Sequence, residues 1–200
     1  ERSSYVYQVA DRDEAGLRAL AELRSRGIGI VAAALGRSSD HILAFFNSLR
    51  AELGFYVGCL NLRERLLRKQ EPVCTPAAAA VGSSQLSARG LYDVCLSLQI
   101  EPCVVGNDVD ADGRRLLMVT GANRGGKSTF LRALGQAQLM MQAGMFVAAR
   151  SFRAELAAGV FTHFKREEDV SMRGGKLDEE LARMSGIVDQ LRAGSLVLFN

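Results

Sequence analysis

Apolar residues recur at helical spacing through the first third of the chain. From residue 39 to residue 69 they follow one another at intervals of three and four, and a Ser-Ser-Asp sequence provides the helix start. This pattern predicts a helix of roughly 45 Å at 1.5 Å per residue. A shorter helix is predicted after the acidic stretch 11–14, with Gly27 as its C-terminal stop. The alanine-rich segment 28–35 favours neither helix nor strand.

The second half of the chain alternates apolar runs with helical patterns. Four short runs predict strands, at 116–119, 145–148, 159–164 and 195–199. Helices are predicted after residue 129 and from 177 to 192. This order predicts an α/β fold around a central sheet. The small and polar residues 73–90 predict a linker, and Asp110–Gly113 a hairpin turn before the strand at 116–119.

Composition adds a broad class. Of the 200 residues 48% are apolar and 24% charged, and the net charge is +3, as in soluble globular proteins. Four cysteines without a CxxC pair and only two histidines exclude a common zinc pattern, so we expect free thiols in a reducing cytoplasm. No apolar run approaches the ~20 residues of a membrane span, so we expect no membrane contact. The chain opens without methionine and stops inside an apolar strand, so we expect a longer protein around it.

One motif carries recognisable chemistry. Thr120-Gly121-Ala122-Asn123-Arg124-Gly125-Gly126-Lys127-Ser128-Thr129 has the GxxxxGK[ST] spacing of a P-loop. Its glycines let the backbone approach an anion closely, and the N–H groups at the start of the next helix favour phosphate. Lys127 is expected to reach the β- and γ-phosphates, and Ser128 to ligate Mg²⁺. The alternative is a glycine-rich strand-to-helix turn that carries a lysine.

Two other candidates are set aside. Asp108, Asp110 and Asp112 have the spacing of calcium ligands, but Val119 stands where an EF-hand loop needs glutamate. His163 lies in a predicted strand, and we interpret it as a strand residue rather than a catalytic base.

The wording of the loop resembles that of the DNA mismatch-repair MutS family, which reads TGxNxGGKST and then an apolar pair and arginine. Asn123, the double glycine before Lys127, and Arg132 carry the match. Weaker likenesses lie at Glu101–Asn107, Gly144–Ala149, Val160–Thr162 and Glu180. The resemblance implies a P-loop NTPase (ABC-type ATPase-like) sheet flanked by helices and preceded by a helical connector or lever segment. It divides the chain into a mostly helical connector (1–72), a linker with lead-in strands (73–100) and a P-loop ATPase domain (101–200).

The same resemblance implies further site residues. Residues expected around adenine are Cys103, Val104, Val105 and Asn107. A signature loop that reaches the γ-phosphate of a neighbouring subunit corresponds to Ser171, Gly174 and Gly175. Asn200 stands at the Walker B aspartate position, and the catalytic glutamate would follow it, so no catalytic residue is expected within 1–200.

The leading hypothesis is therefore the ATP-binding domain of a MutS-like DNA-repair protein. ATP and Mg²⁺ are its expected ligands, and ATP would close a homodimer and couple that closure to mismatched or branched DNA bound by the full-length protein. Asn200 offers Mg²⁺ no charge, so we expect this chain to hydrolyse ATP poorly. Whether this chain alone is an enzyme is left open. The full-length protein is expected to be an ATPase. Two alternatives are a non-hydrolysing ATP-gated interaction module and a P-loop kinase, which the long apolar helix disfavours.

Overall fold

The computed structural model describes residues 10, 12–164 and 176–200. The predicted signature-loop residues Ser171, Gly174 and Gly175 lie outside the described residues. The chain divides into two compact units, Glu1–Gly58 and Cys59–Asn200.

Helix α1 (Glu14–Arg68) is a single helix of 55 residues. Its start is capped by Asp13, whose Oδ1 accepts a hydrogen bond from Gly16 N at 2.9 Å. The predicted stop at Gly27 is wrong, and the two predicted helices are one. A glycine inside a helix costs about 1 kcal/mol relative to alanine, and a C-terminal stop also requires a left-handed capping turn, whereas Gly27 has helical backbone.

The part of α1 within the first unit is exposed to solvent. Every residue from 21 to 58 is exposed, including Phe45, Phe46 and Tyr56. An 18-residue window of α1 has a mean hydropathy of 1.2 and passes the length and composition test for a membrane span. This finding corrects the expectation that no segment would do so. One such helix is weak evidence by length and composition alone, so it does not assign α1 to a membrane.

The second unit contains a mixed four-stranded sheet. Its strands are β1 (Ala77–Ala79), β2 (Leu86–Leu91), β3 (Asn107–Asp110) and β4 (Ser151–Glu155), in the order β1-β4-β2-β3. β1 is parallel to β4, and β2 is antiparallel to both of its neighbours. The predicted linker 73–90 thus supplies β1 and most of β2. In β4 the buried Phe152 and Ala154 alternate with the exposed Ser151 and Arg153, as a half-buried strand requires.

A second sheet consists of two parallel strands. β5 (Val160–His163) pairs with β6 (Leu196–Phe199), with Val160 opposite Leu196 and His163 opposite Phe199. Both strands were predicted, as was helix α4 (Lys176–Val188) between them. The remaining helices of the second unit are α2 (Val94–Gln99) and α3 (Lys127–Gln142).

The predicted strand at 116–119 and the central sheet around it are not formed. Residues 116–119 pair with no strand among the described residues, and Leu116 and Met118 are 79% and 77% exposed. β3 pairs with β2 instead, so the turn at Asp112 and Gly113 does not close the predicted hairpin. The run at 145–148 makes only one isolated bridge, between Cys74 and Val147. The fold is therefore mixed α/β with two small sheets, because an apolar run becomes a strand only where a partner strand is free.

Helix α3 packs its buried face into the main core. Ala133, Leu134, Ala137 and Met141 recur at spacings of one, three and four and lie in one cluster with residues from both sheets. Small residues on this face let the strands approach closely. A Cβ built on Gly135 would lie 2.7 Å from Leu198 Cδ1. The tight contact holds β6 against the helix that begins at the P-loop motif.

Candidate functional site

The loop 121–126 turns directly into the first residue of α3. Gly126 is the helix N-cap with φ 83°, a left-handed conformation that side chains disfavour. Gly125 N donates to Ala122 O at 3.1 Å, and a Cβ at residue 125 would lie 2.8 Å from that oxygen. Glycine at both positions is thus required by the geometry. No side chain caps this helix start, so its first N–H groups are available to an anion.

Lys127 places its charge over the same loop. Its Nζ donates to Gly121 O at 2.8 Å and to Ala122 O at 2.7 Å. Arg124, at φ 62°, is a non-glycine residue in the left-handed region. Residues 121–126 are exposed and Lys127 is half-buried. The arrangement gives a solvent-accessible helix N-terminus with the positive charge of Lys127 beside it.

Ser128 connects the start of α3 to the residue after β6. Its Oγ donates to Asn200 Oδ1 at 2.7 Å, although 72 residues separate the two in sequence. Asn200 N in turn donates to His163 O at 2.9 Å, which continues the parallel ladder. The hydroxyl and amide oxygens are neutral ligands that a hard cation such as Mg²⁺ accepts. The described residues contain no group of three His, Cys, Asp or Glu side chains that would hold a metal by themselves.

A buried carboxylate lies behind α3. Asp93 is 1% exposed; its Oδ2 accepts from Arg132 Nε at 3.0 Å, and its Oδ1 from Gln136 Nε2 at 3.0 Å. Oδ1 also accepts from Leu96 N at 3.1 Å, so Asp93 is the N-cap of α2. Gln136 Oε1 accepts from Val94 N at 2.9 Å. The start of α2 is therefore fixed to the side of α3.

A second buried carboxylate follows the end of α1. Glu71 is 2% exposed and accepts from Ser97 Oγ with one oxygen and from Val104 N, at 2.9 Å, with the other. Lys69 Nζ lies 4.0 Å from Glu71 Oε1 and donates to the carbonyl oxygens of Ser97 and, at 2.7 Å, Ile100. Lys69 thus places a positive charge at the C-terminal end of α2, which favours it.

Sequence reasoning did not identify Glu71 or Asp93. The available signal for Asp93 was its residue type directly before a short apolar segment, which is typical of an N-cap. Glu71 gave no such signal, because it stands beside Pro72 at a predicted helix end and its partners lie 26 and 33 residues away.

The residues predicted around adenine lie in the segment between α2 and β3 and at the first residue of β3. Cys103 is exposed, and its Sγ donates to Lys69 O at 3.1 Å. Val104 is half-buried, whereas Val105 is 84% exposed. Asn107 is the exposed first residue of β3. Their role at a nucleotide base stays a prediction.

His163 and Glu180 meet at the edge of the small sheet. His163 is buried, as expected of a strand residue, and its ring stacks on Phe199 with centroids 4.6 Å apart. Its Nε2 lies 2.8 Å from Glu180 Oε2 without the alignment of a hydrogen bond. Arg183 Nη1 lies 3.3 Å from Glu180 Oε1, and its Nη2 donates to Phe164 O at 3.0 Å. This cluster fixes α4 to β5.

Burial perturbs two further groups in the second unit. It raises the pKa of the Tyr92 phenol, and the nearby charge of Glu71 raises it further. The Tyr92 hydroxyl has no hydrogen-bond partner among the described residues. Burial also raises the pKa of the Cys74 thiol, partly offset by a hydrogen bond from the backbone of Phe152. Both groups are therefore held in their neutral forms.

A cavity of about 490 Å³ opens away from the loop. Its lining includes Leu86, Ala154 and Leu196, from strands of both sheets, together with Arg114 and Arg115. No residue of the loop 121–129 lines it. The exposed loop at the start of α3 and this cavity are thus different places.

Comparison with known proteins gives two family matches. A model described as the MutS2 N-terminal domain matches residues 1–69, and a model described as MutS domain V matches residues 117–200. The second match contains the loop, α3, β6 and Asn200 directly after β6.

Curated relatives agree with these matches. The chain is 36% identical over 98 residues to the DNA mismatch repair protein MutS of Porphyromonas gingivalis. The aligned residues are 48% of this chain and 11% of that protein. It is 27% identical over 112 residues to MutS protein homolog 4 of Mus musculus, with 56% and 12% covered. A MutS of a Synechococcus strain is 27% identical over 176 residues, which are 82% of this chain and 19% of that protein. The chain thus spans only about a tenth to a fifth of these relatives' length. Residues 1–69 are thus similar to the MutS2 N-terminal domain and residues 117–200 to MutS domain V, and the curated relatives are MutS proteins.

Proposed function

We propose that the chain is the ATP-binding part of a MutS-family DNA-repair protein, with the phosphates held by residues 121–129. The observation that carries this proposal is the uncapped start of α3, where glycines 125 and 126 shape the loop and Lys127 lies over it. An anion at that place would accept hydrogen bonds from the backbone N–H groups and would lie at the positive end of the helix dipole. A phosphate chain fits this donor set.

Lys127, Ser128 and Asn200 would share the handling of charge. Lys127 Nζ would exchange the loop carbonyl oxygens of Gly121 and Ala122 for phosphate oxygens. Ser128 Oγ would turn from Asn200 to Mg²⁺. When bound, Mg²⁺ neutralises phosphate charge; Asn200 would offer it only a neutral oxygen. The donor set therefore fits ATP well and Mg²⁺ less well.

The base would lie along the segment after α2. Cys103, Val104 and Val105 would flank adenine, and Asn107 would hydrogen-bond it. Exposed Val105 and Asn107 are compatible with that role, since an apolar side chain and an amide are available to a ligand there.

The role of the whole protein is proposed from its relatives. The names of the curated relatives refer to DNA mismatch repair, and we propose that the longer protein binds DNA and works in the cytoplasm as a homodimer. The segment 1–72 would be the connector or lever, 73–100 the lead-in to the site, and 101–200 the ATPase domain. Ser171, Gly174 and Gly175 would reach the nucleotide of the second copy.

A second candidate is an ATP-gated interaction module that does not hydrolyse ATP. Asn200 favours it, because an amide lacks the charge that a Walker B aspartate gives to the metal. The two candidates agree on ATP binding and differ in turnover.

A thermal-shift titration tests the shared claim. A ligand that binds only the folded state raises the melting temperature in a concentration-dependent way. We expect ATP to raise the melting temperature and Lys127→Ala to remove the shift, whereas the exposed-surface variant Arg68→Ala should retain it. An equal shift in both variants would contradict the assignment of the loop. Phosphate release by the full-length protein separates the two candidates.

A further inference from the structure

One buried carboxylate lies at each end of the short helix α2, and the proposed phosphate binding explains the burial of neither. Glu71 and Asp93 are 2% and 1% exposed, on different sides of α2. Buried carboxylates are retained where hydrogen bonds and opposite charges compensate their desolvation, as is the case for both. Their partners show what each one joins.

Glu71 joins the end of α1 to α2. Its backbone N donates to Leu66 O at 3.1 Å, which continues the last turn of α1. Its carboxylate accepts from Ser97 Oγ in α2 and from Val104 N beyond it. Lys69 Nζ donates to two carbonyl oxygens at the C-terminal end of α2. The C-terminal half of α2 is thus fixed by side chains that follow α1.

Asp93 joins α2 to the helix that begins at the P-loop. The carboxylate caps α2 and accepts from Arg132 and Gln136, which lie one turn apart on α3. Arg132 lies five residues after Lys127, between one and two helical turns along α3. A displacement of α2 would therefore displace the start of α3 and the loop 121–126.

Apolar packing follows the same route. Leu66 of α1 is fully buried in one cluster with Tyr92 and Val94, which flank Asp93, and with Ala148. Tyr92 N donates to Ala148 O at 3.1 Å. The polar and apolar contacts thus both connect the end of α1 with α2. The polar contacts continue to α3, and the apolar contacts continue to Met140 of α3 and to Ala148 beyond it.

We propose that Glu71 and Asp93 are positioning residues that set the place of α3, and so of the phosphate loop, relative to the last turn of α1, with α2 as the connecting piece. This inference rests on the proposed function, since it treats the loop as the nucleotide site. Glu71 touches no loop residue in the described contacts, so any effect on nucleotide affinity passes through α2. By linkage, a nucleotide at the loop stabilises the contacts of Lys69 and Glu71.

The informative variant is Glu71→Gln. It keeps the side-chain shape but replaces one acceptor oxygen by an NH₂ group, which only donates. The glutamine side chain therefore cannot accept from both Ser97 Oγ and Val104 N. The matched control is Glu64→Gln, at an exposed position of α1, where Glu64 pairs only with Arg68 among the described residues. We expect ATP affinity to fall about three- to thirtyfold in Glu71→Gln and to stay unchanged in Glu64→Gln.

Hydrogen exchange separates positioning from simple loss of stability. In the unaltered chain, ATP should slow amide exchange both at residues 121–129 and at residues 66–71. In Glu71→Gln, saturating ATP should still slow exchange at 121–129 but no longer at 66–71. A merely structural role would speed exchange across the second unit with or without ATP and leave the ATP-dependent difference at 66–71 in place.

The hydrogen-exchange and affinity results distinguish failure of the positioning role from failure of the proposed ATP binding. Absence of ATP-dependent protection at 121–129 in the unaltered chain would overturn the proposed function and this inference with it. Protection at 121–129 without protection at 66–71, or equal ATP affinity in Glu71→Gln and Glu64→Gln, would overturn the inference alone. If Glu71→Gln does not fold, Ser97→Ala removes one donor to the same carboxylate, and the same two comparisons decide.

Discussion

Ser128 Oγ donates a hydrogen bond to Asn200 Oδ1 at 2.7 Å and so joins the first turn of α3 to the residue after β6. The contact places the two positions predicted to share a metal within hydrogen-bond distance. It also shows what the asparagine changes, because an aspartate at residue 200 would accept the same hydrogen bond and bring a negative charge.

Asn200→Asp should therefore strengthen the Mg²⁺ dependence of ATP binding. A carboxylate attracts a hard cation far better than an amide does, and we expect about tenfold tighter ATP binding with Mg²⁺ and no gain without it. Calorimetric titration with ATP in Mg²⁺ and in EDTA measures both. Asn61→Asp, which adds the same charge at an exposed position of α1, serves as the control. The same gain in both variants would show a general charge effect rather than a metal site.

Gly106→Ala should destabilise the second unit. A Cβ at residue 106 would lie 2.6 Å from Gly90 O, and backbone cannot withdraw as a side-chain tip can. We expect a loss of about 1–3 kcal/mol in the free energy of unfolding, measured with urea. Gly54→Ala is the counterpart within α1, where an added Cβ meets nothing within 4 Å. It should leave stability unchanged or raise it by up to about 1 kcal/mol. Equal effects would mean that Gly106 does not approach Gly90.

Tyr92→Phe should not destabilise the protein at neutral pH. The hydroxyl is buried without a partner among the described residues, so its removal relieves a desolvation cost and should stabilise by about 0–2 kcal/mol. Tyr56→Phe, at an exposed position of α1, should change nothing.

The same variant should alter the response to alkaline pH. Burial raises the pKa of the folded Tyr92 phenol above the ordinary value of about 10. The stability linked to this proton is complete below pH ~10 and is lost as the pH rises above it, by at most about 1.4 kcal/mol per pH unit. Urea unfolding from pH 8 to 11 should therefore decline more steeply in the unaltered protein than in Tyr92→Phe. Parallel curves would contradict the burial of the phenol.

The elements that were predicted from sequence carry their signals locally. The loop 121–129, helix α4 and the strands β5 and β6 each have a motif, a periodicity or an apolar run bounded by turn residues. The strands β1 and β2 lack such a signal, because alanine, serine and glycine do not favour strands and only their pairing with β4 makes them so. The run 116–119 shows the converse, since it has strand residues but no partner.

The candidate site divides in the same way. Gly125, Gly126 and Lys127 were identified because one short motif contains the whole arrangement. The networks of Glu71 and Asp93 were not, because each joins residues 26 to 43 positions apart and consists of types that are common on any surface. Only tertiary structure reveals that these two carboxylates are buried.

Calorimetric titration of ATP into the chain and into Lys127→Ala measures whether the loop at the start of α3 binds the phosphates. Lys127 lies over the loop at the start of α3, where the motif predicts that its charge reaches the phosphates. We expect saturable binding of one ATP per chain and an affinity about a hundredfold lower in Lys127→Ala, because the variant loses a charge-assisted contact to phosphate. Unchanged ATP affinity in the variant would contradict it.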